Sequence, residues 1–259
     1  MKVHRIKASI LHSLYHLTHS VETWVDLYWF ALIDILVFGF ISSFFVNSYE
    51  EASFLIAGII VWEIVRVGQY TVTVGMLWEV WSRSFSSLFI SPLTIWEFIA
   101  GQAISGLIKS LSVIIIVSLI AYFVFGFNLI SLGSVFILYF FILFIFSIAA
   151  GIFVLSLIIR FGTNIQSLAW GLIFLVQPIS AIFYPVEALP VAIQSISYLS
   201  PITYIMENIR MQLTSSTISW KYIGISFSLS IIYLLLSVLV AKRSLYHSIV
   251  TGEFARMCN

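Results

Sequence analysis

Residues 132–159 read LGSVFILYFFILFIFSIAAGIFVLSLII and contain no Asp, Glu, Lys or Arg. An α-helix rises about 1.5 Å per residue, so about 20 apolar residues cross the roughly 30 Å hydrocarbon core of a bilayer. The stretch is therefore predicted to be a membrane-spanning helix. The composition of the whole chain agrees, because its 259 residues are 61% hydrophobic and 9% charged, whereas soluble domains are about 45–50% apolar and about 25% charged.

Five further apolar runs have similar length, so the sequence predicts an all-α membrane protein with six transmembrane helices. The predicted spans are 27–46, 54–77, 99–125, 132–159, 165–184 and 222–241. They form one membrane domain, 27–241, between an N-terminal segment, 1–26, and a tail, 242–259. Small residues in the third and fourth spans offer close helix packing, either between two chains or within one. These residues are Gly101, Ser105, Gly106, Ser147 and Gly151.

The N-terminal segment has apolar residues at alternating steps of three and four, which places them on one stripe of a helix. The stripe consists of Val3, Ile6, Ile10, Leu14, Leu17, Val21 and Trp24, and the opposite face of His4, Arg5, His12, His16, His19 and Glu22. We predict an amphipathic helix in the membrane interface, with its polar face toward headgroups and water. No carboxylate or thiolate clusters with the histidines, so a solvated polar face is favoured over a metal site.

The distribution of Lys and Arg predicts the orientation, because cytoplasmic loops carry the excess of these residues. Six spans put both termini on one side, together with residues 78–98 and the turn at Arg160. That side carries Lys2, Arg5, Lys7, Arg83, Arg160, Lys242, Arg243 and Arg256, and the other carries Arg210 and Lys221 beside Glu50, Glu51, Glu187 and Glu207. Both termini, including the tail 242–259, are therefore predicted to be cytoplasmic, and the chain to lie in the cytoplasmic (inner) membrane.

Residues 77–97 read LWEVWSRSFSSLFISPLTIWE and connect the second predicted span to the third. Trp81, Phe85 and Leu88 recur at helical spacing, and Ser91-Pro92 breaks the helix before the next span. The segment 78–98 is predicted to contain a short amphipathic helix. Such a helix either contacts a partner or simply packs on the lipid surface.

The pattern Trp-Glu-x-x-Ser-Arg at 78–83, followed by Leu-Phe-x-Ser-Pro-Leu at 88–93, resembles the coupling helix of type-2 ABC exporter permeases. This family includes the permeases of polysaccharide-export and drug-resistance systems. The resemblance implies that the helix docks into a cytoplasmic ABC ATPase subunit and transmits nucleotide-driven closure to the spans. The implied ATPase-coupling residues are Glu79, Trp81, Arg83, Phe85, Leu88, Ser91 and Pro92.

Residues 177–190 read QPISAIFYPVEALP and contain three prolines. Each proline removes a backbone donor and clashes with the preceding turn, so this stretch cannot be one regular helix. Ser200 and Pro201 predict the N-cap and first residue of a later helix. The Tyr-Pro-x-x-x-Leu-Pro pattern at 184–190 resembles the external re-entrant gate region of the same family, which corresponds to 185–219 here. The implied gate residues are Tyr184, Pro185, Pro190, Pro201 and Tyr204.

Four ionisable residues fall within predicted spans, where a charge at the bilayer centre costs about 2.5–3.5 kcal/mol. They are Asp34, Glu63, Arg66 and Lys109. Glu63 and Arg66 lie one helical turn apart and are predicted to neutralise each other. The pair either lines a translocation pathway or fixes helix register as a structural ion pair.

The sequence contains no Gly-x-x-x-x-Gly-Lys-Ser/Thr motif, so the chain is predicted to bind no nucleotide itself. No catalytic or metal residue is predicted, because a nucleophile elbow and a His-Glu-x-x-His motif are also lacking. The net charge of +1 argues against nucleic-acid binding.

The resemblance therefore implies a permease subunit that is not itself an enzyme and has no cofactor of its own. Its partner, a cytoplasmic ABC ATPase, would bind ATP and Mg. A second permease chain, in a homodimer or a heterodimer, would complete the pathway within the membrane lipid. The cargo would be a lipid, a hydrophobic drug or a lipid-linked glycan.

Two alternatives come from other classes of protein. An ion-gradient-driven secondary transporter would need protonatable residues in the membrane, for which Asp34 and Glu63 are the plausible sites. A membrane-embedded lipid-modifying enzyme would need convergent polar groups near one interface, and the scarcity of charged residues argues against it.

Overall fold

A computed structural model describes residues 2–45, 48–82, 84 and 91–251, and within these ranges every regular element is a helix. A π-helical turn, Val25–Trp29, joins α2 to α3, and short 3-10 turns occupy Leu129–Leu132, Thr163–Ile165 and Val186–Ala188. The α-helices are α1 (Val3–His19), α2 (Val21–Trp24), α3 (Phe30–Phe45), α4 (Tyr49–Trp81), α5 (Ile95–Phe125), α6 (Val135–Phe161), α7 (Leu168–Ile179), α8 (Val191–Ser197), α9 (Pro201–Ser215) and α10 (Trp220–Thr251).

Among the described residues, four helical segments are long and apolar enough to cross a membrane. They are Val21–Phe44, Ile95–Phe125, Val135–Phe161 and Trp220–Thr251. The first runs from α2 through the π-helical turn into α3, and the others are α5, α6 and α10. This confirms the prediction of an all-α membrane protein.

The predicted second and fifth spans fall on α4 and α7, which are not among these four segments. α4 is surrounded by α3, α5, α6, α7 and α9, so most of its residues from Ser53 to Leu77 are buried. α7 has 12 residues and is therefore about 18 Å long, shorter than the hydrocarbon core. It ends at Ile179, directly after Pro178, instead of continuing to 184. Six spans are thus not confirmed by helix length and composition.

Several helices begin or end at positions that differ from the predicted boundaries. α1 stops at His19, because Ser20 adopts an extended backbone conformation and serves as the N-cap of α2. α5 begins at Ile95 instead of 99, and a capping box closes its first turn. α10 continues to Thr251, past the predicted end of the sixth span at 241, so the predicted tail begins as helix.

The connections between helices gather at two ends of the bundle. At the end that holds the first turns of α1, which we call the N-terminal end, Trp81 Nε1 in the last turn of α4 donates to Gln166 Oε1, which precedes α7, at 2.9 Å. At the opposite end, which we call the loop end, Tyr139 OH of α6 donates to Gln212 Oε1 of α9 at 3.1 Å. The end of α4 and the connection before α7 therefore lie at the N-terminal end, and the start of α6 and the later part of α9 lie at the loop end.

The small residues predicted to allow close helix packing meet other helices of the same chain. A Cβ added at Gly151 would lie 2.8 Å from Val72 Cβ, and one added at Gly101 would lie 2.5 Å from Ser9 Cβ. Both distances are shorter than a carbon–carbon contact allows. Of the two alternatives, packing within one chain is the one observed for these residues.

Candidate functional site

The predicted coupling segment lies between the end of α4 and the start of α5. Ser91 and Pro92 form a turn shortly before α5, as predicted. Three of the predicted coupling residues lie outside the described residues. These are Arg83, Phe85 and Leu88.

Glu79, in the last turns of α4, is turned into the protein and is 4% exposed. Its Oε1 lies 3.3 Å from His12 Nδ1 of α1, and its Oε2 accepts a hydrogen bond from Ser84 Oγ. Contacts within the chain therefore hold this carboxylate. The His12 contact could not be predicted from the sequence, because α1 and α4 are far apart along the chain. The spacing of Glu79 and Arg83, four residues apart, also predicts a helical ion pair, but Arg83 lies outside the described residues.

Trp81 remains 38% exposed at the N-terminal end. Its ring is parallel to that of Trp170 on α7, with centroids 6.1 Å apart, and meets Trp78 edge to face at 5.2 Å. Together with the hydrogen bond to Gln166, these contacts join the end of α4, where the coupling segment begins, to α7 and the connection before it. Neither Trp170 nor Gln166 could be selected from the sequence, because aromatic and amide residues are too common to indicate a contact.

Glu63 and Arg66 form the predicted ion pair inside the bundle. Arg66 Nη2 lies 2.6 Å from Glu63 Oε2, and Arg66 Nε donates to Glu63 Oε1 at 3.1 Å. The side chains are 0% and 7% exposed, respectively. Asp34 of α3 interacts electrostatically with both partners.

Arg66 also holds the π-helical turn that precedes α3. Its Nη1 donates to the Asp26 carbonyl oxygen at 2.7 Å, and its Nη2 to the Leu27 carbonyl oxygen at 3.0 Å. Tyr70, one turn further along α4, donates from its OH to Asp26 Oδ2 at 2.8 Å. A π-helical turn disturbs the regular hydrogen bonds of an α-helix. Backbone carbonyl oxygens that lose their helical partner can then accept hydrogen bonds from side-chain donors. The Glu63–Arg66 pair therefore fixes the position of α4 relative to the first span.

A cavity of about 230 Å³ adjoins this pair, between α4, α7 and the start of α3. Asp26, Arg66 and Tyr70 supply a polar edge, and Phe30, Trp170, Ile173 and Phe174 supply apolar walls. A few polar groups within apolar walls are typical of a small-molecule pocket. Chemically, the cavity can accept an apolar group that carries one hydrogen-bonding end.

A tight turn after α7 leads into the predicted gate region. Ala181 adopts a left-handed conformation, with φ 51°, and Tyr184 OH donates to the Pro178 carbonyl oxygen. Pro201 is the first residue of α9, as predicted, and Ser200 has the extended backbone of an N-cap. The Ser200 side chain does not cap the helix; its Oγ pairs with Ser180 Oγ at 2.7 Å instead.

The remaining predicted gate residues lie nearby at the loop end. Tyr204 on α9 packs its ring between those of Tyr198 and Tyr222, with centroid distances of 6.0 and 5.8 Å. Pro185 and Pro190 flank the 3-10 turn Val186–Ala188 and precede α8. The structure thus places the predicted gate residues around one group of short helices.

Arg210 connects this region to α4. Its Nη1 lies 3.1 Å from Glu207 Oε1, and its guanidinium carbon lies 4.3 Å from the centre of the Phe54 ring. Burial raises the pKa of Glu207, and the charge of Arg210 acts in the opposite direction. A cavity of about 450 Å³ lies beside these residues and is also lined by Glu51 and Tyr184.

The family model described as ABC-2 type transporter matches residues 19–214, which is more than half of the chain. The chain belongs to the ABC-2 type transporter family. The predicted resemblance to type-2 ABC exporter permeases is thereby confirmed. No curated protein matches the chain.

Membership of the ABC-2 transporter family makes the chain a membrane subunit of an ABC transporter. In ABC-2 transporters, nucleotide binding belongs to the partner ATPase. The matched residues include the coupling segment, the Glu63–Arg66 pair and the predicted gate residues, whereas nearly all of α1 precedes them and α10 follows them. Within the described part of the chain, no three His, Cys, Asp or Glu side chains converge as a metal site.

Proposed function

We propose that the chain is the transmembrane permease subunit of an ATP-driven ABC exporter. It pairs with a second permease chain, and separate cytoplasmic ATPase subunits supply the energy. The observation that carries this proposal is the match of residues 19–214 to the ABC-2 transporter family. The proposed ATPase partner agrees with this family, in which nucleotide binding belongs to the partner ATPase.

The proposed topology has six passes, with α4 and the α7 region crossing the membrane beside the four long apolar segments. It places the N-terminal end of the bundle in the cytoplasm and the loop end outside. The basic residues support this orientation, because Lys and Arg concentrate in cytoplasmic segments. Those at the N-terminal end include Lys2, Arg5, Lys7, Arg160, Lys242 and Arg243.

In the proposed mechanism, ATP binding closes the ATPase pair and displaces the coupling segment, including Trp81, Ser91 and Pro92. α4 and α5 continue from the two ends of this segment, so they move with it. α4 has 33 residues and is about 50 Å long, so it reaches from the coupling segment to the gate region. The Glu63–Arg66 pair would carry this movement to the first span, because Arg66 holds the π-helical turn.

The proposed gate, with Tyr184, Pro185, Pro190, Pro201 and Tyr204, closes the outer end of the pathway. The contact of Arg210 with Phe54 supports a link between this gate and α4. The cavity beside Arg66 supports an apolar or amphiphilic cargo, because its walls are largely aromatic. A lipid, a hydrophobic drug and a lipid-linked glycan all fit that description.

The structure gives little support to an ion-gradient-driven transporter. Such a transporter would need Asp34 or Glu63 to take up and release a proton. Of these two, the Glu63 carboxylate is occupied by the Nε and Nη2 groups of Arg66. An ion pair with these hydrogen bonds stabilises the charged carboxylate. The family match therefore makes the ATP-driven exporter the favoured function.

Affinity purification tests the proposed function. The tagged chain, extracted from its native membranes in mild detergent, is expected to bring down an ABC ATPase subunit, and the eluate should hydrolyse ATP in a vanadate-sensitive manner. An eluate that contains only the permease and hydrolyses no ATP would contradict the proposal. Extraction of an unrelated multi-pass protein with the same tag provides the control.

A further inference from the structure

The first turns of α1 contact the start of α5, directly after the coupling segment. Arg5 Nη1 lies 3.6 Å from Glu97 Oε2, and the Lys2 backbone N–H donates to Glu97 Oε1 at 2.7 Å. The Glu97 side chain is 2% exposed. Glu97 also accepts a hydrogen bond from the Thr94 backbone N–H as part of the capping box, so its carboxylate joins the start of α5 to α1.

Later turns of α1 contact the end of α4, directly before the coupling segment. His12 Nδ1 lies 3.3 Å from Glu79 Oε1, and the His16 ring packs on Trp78 with centroids 4.7 Å apart. Burial, and then the charge of Lys109, lowers the pKa of His16. This favours the neutral imidazole at the Trp78 contact.

Between these contacts, α1 is packed closely along α5. Ser9 occupies the space that a side chain at Gly101 would need, because a Cβ there would lie 2.4 Å from Ser9 Oγ. Ser13 Oγ donates to Gln102 Oε1 at 3.0 Å and accepts from Lys109 Nζ at 2.9 Å. Ser9 and Ser13 are each 5% exposed.

Part of the predicted polar face of α1 therefore contacts protein, through Arg5, His12 and His16, whereas His4 and His19 are exposed as predicted. In the predicted apolar stripe, Val3 is 81% exposed, and Ile6, Ile10, Leu14 and Leu17 are half-buried. The amphipathic pattern indicates two faces but does not indicate which of them meets protein. The small side chains of Ser9 and Ser13 decide this here, because they permit the close approach to α5.

We propose that α1 is a positioning element for ATPase coupling, which joins the end of α4 to the start of α5 so that both helices move as one body. Arg5 and His12 are its positioning residues, acting through Glu97 and Glu79. The role rests on the proposed function. It goes beyond family membership, because the ABC-2 match begins at residue 19, where α1 ends.

Distances between spin labels test this role in the purified complex with its ATPase. In a background with Cys258→Ser, labels at Lys7→Cys on α1 and Ile104→Cys on α5 report whether the two helices stay together. The distance between the labels is expected to be the same without nucleotide and after trapping with MgATP and vanadate. Glu97→Gln keeps a capping-box side chain but removes the charge that binds Arg5, so it should broaden or lengthen this distance after trapping.

Two further variants complete the experiment. Glu22→Gln removes an exposed carboxylate close to α1 and should behave as the wild type. Arg5→Gln removes the same ion pair but leaves the Glu97 capping box in place, so it should change the distance in the same way as Glu97→Gln. A wild-type distance that changes on trapping, or a Glu97→Gln distance that stays constant, would overturn the positioning role alone. A wild-type preparation without vanadate-sensitive ATPase would overturn the proposed function and this role together.

Discussion

Arg66→Met should lower the yield and thermal stability of the folded protein more than any other single substitution in the Glu63–Arg66 pair. The change leaves Glu63, which is fully buried, as an unpaired carboxylate, and breaking a buried ion pair by removing one partner costs about 3–5 kcal/mol. It also removes the donors that bind the Asp26 and Leu27 carbonyl oxygens. Yield and melting temperature are measured by fluorescence-detected size exclusion after heating in detergent.

The double variant Glu63→Gln with Arg66→Met should recover part of this loss, because no unpaired charge remains in the bundle. Glu63→Gln alone should be milder than Arg66→Met, since Arg66 keeps its two carbonyl acceptors and the nearby Asp34. Glu50→Gln, at an exposed position in the first turn of the same helix, is the matched control. Equal damage from the two single variants and the double variant would contradict a stabilising ion pair.

Arg83→Glu should reduce the amount of ATPase that purifies with the chain by about tenfold or more, because reversing a charge in the proposed ATPase contact should cost about 1.4 kcal/mol or more, and every 1.4 kcal/mol is tenfold in affinity. This expectation rests on the resemblance of 78–83 to a coupling helix. The measurement is the ratio of ATPase to permease in the eluate, with membrane insertion checked in parallel. Glu79 is less suitable for this test, since its contacts with His12 and Ser84 mean that a charge reversal would disturb the fold.

Lys221→Glu is the control for Arg83→Glu. Lys221 is an exposed residue in the first turn of α10, which the proposed topology places at the opposite face of the membrane. Its reversal should leave the ATPase ratio unchanged. The same ratio in wild type and Arg83→Glu would show that Arg83 makes no contact needed for ATPase binding.

The long helices could be predicted from the sequence because each rests on a local signal. The run from 132 to 159 lacks ionisable residues, and it matches α6 to within a few residues at each end. Glu63 and Arg66 could be paired in advance because helical spacing alone brings side chains three residues apart together. Pro201 could be assigned to the start of a helix because Ser200 is a favoured N-cap residue and the missing N–H of a proline is tolerated in the first turn.

Features that depend on tertiary partners could not be predicted. The π-helical turn at Val25–Trp29 is held by Arg66, which is distant in sequence. No pattern within the turn itself indicates a π-helix. The apolar run 165–184 resembles a span, yet the turn at Ala181 and the preceding Pro178 leave a helix of only 12 residues. Likewise, Glu79 contacts His12 and Trp81 contacts Trp170. These contacts join α4 to α1 and to α7, and no sequence pattern indicates that these helices lie side by side.

Photo-crosslinking from the coupling segment tests most directly whether a partner ATPase drives this chain from its cytoplasmic face. A benzophenone amino acid at Ser87, in the predicted coupling helix, should give an adduct with an ABC ATPase subunit in native membranes. The same group at Thr217, at the loop end, should give no such adduct. Absence of the ATPase adduct from position 87, or labelling of a cysteine at 87 in intact cells by a membrane-impermeant maleimide, would contradict the account.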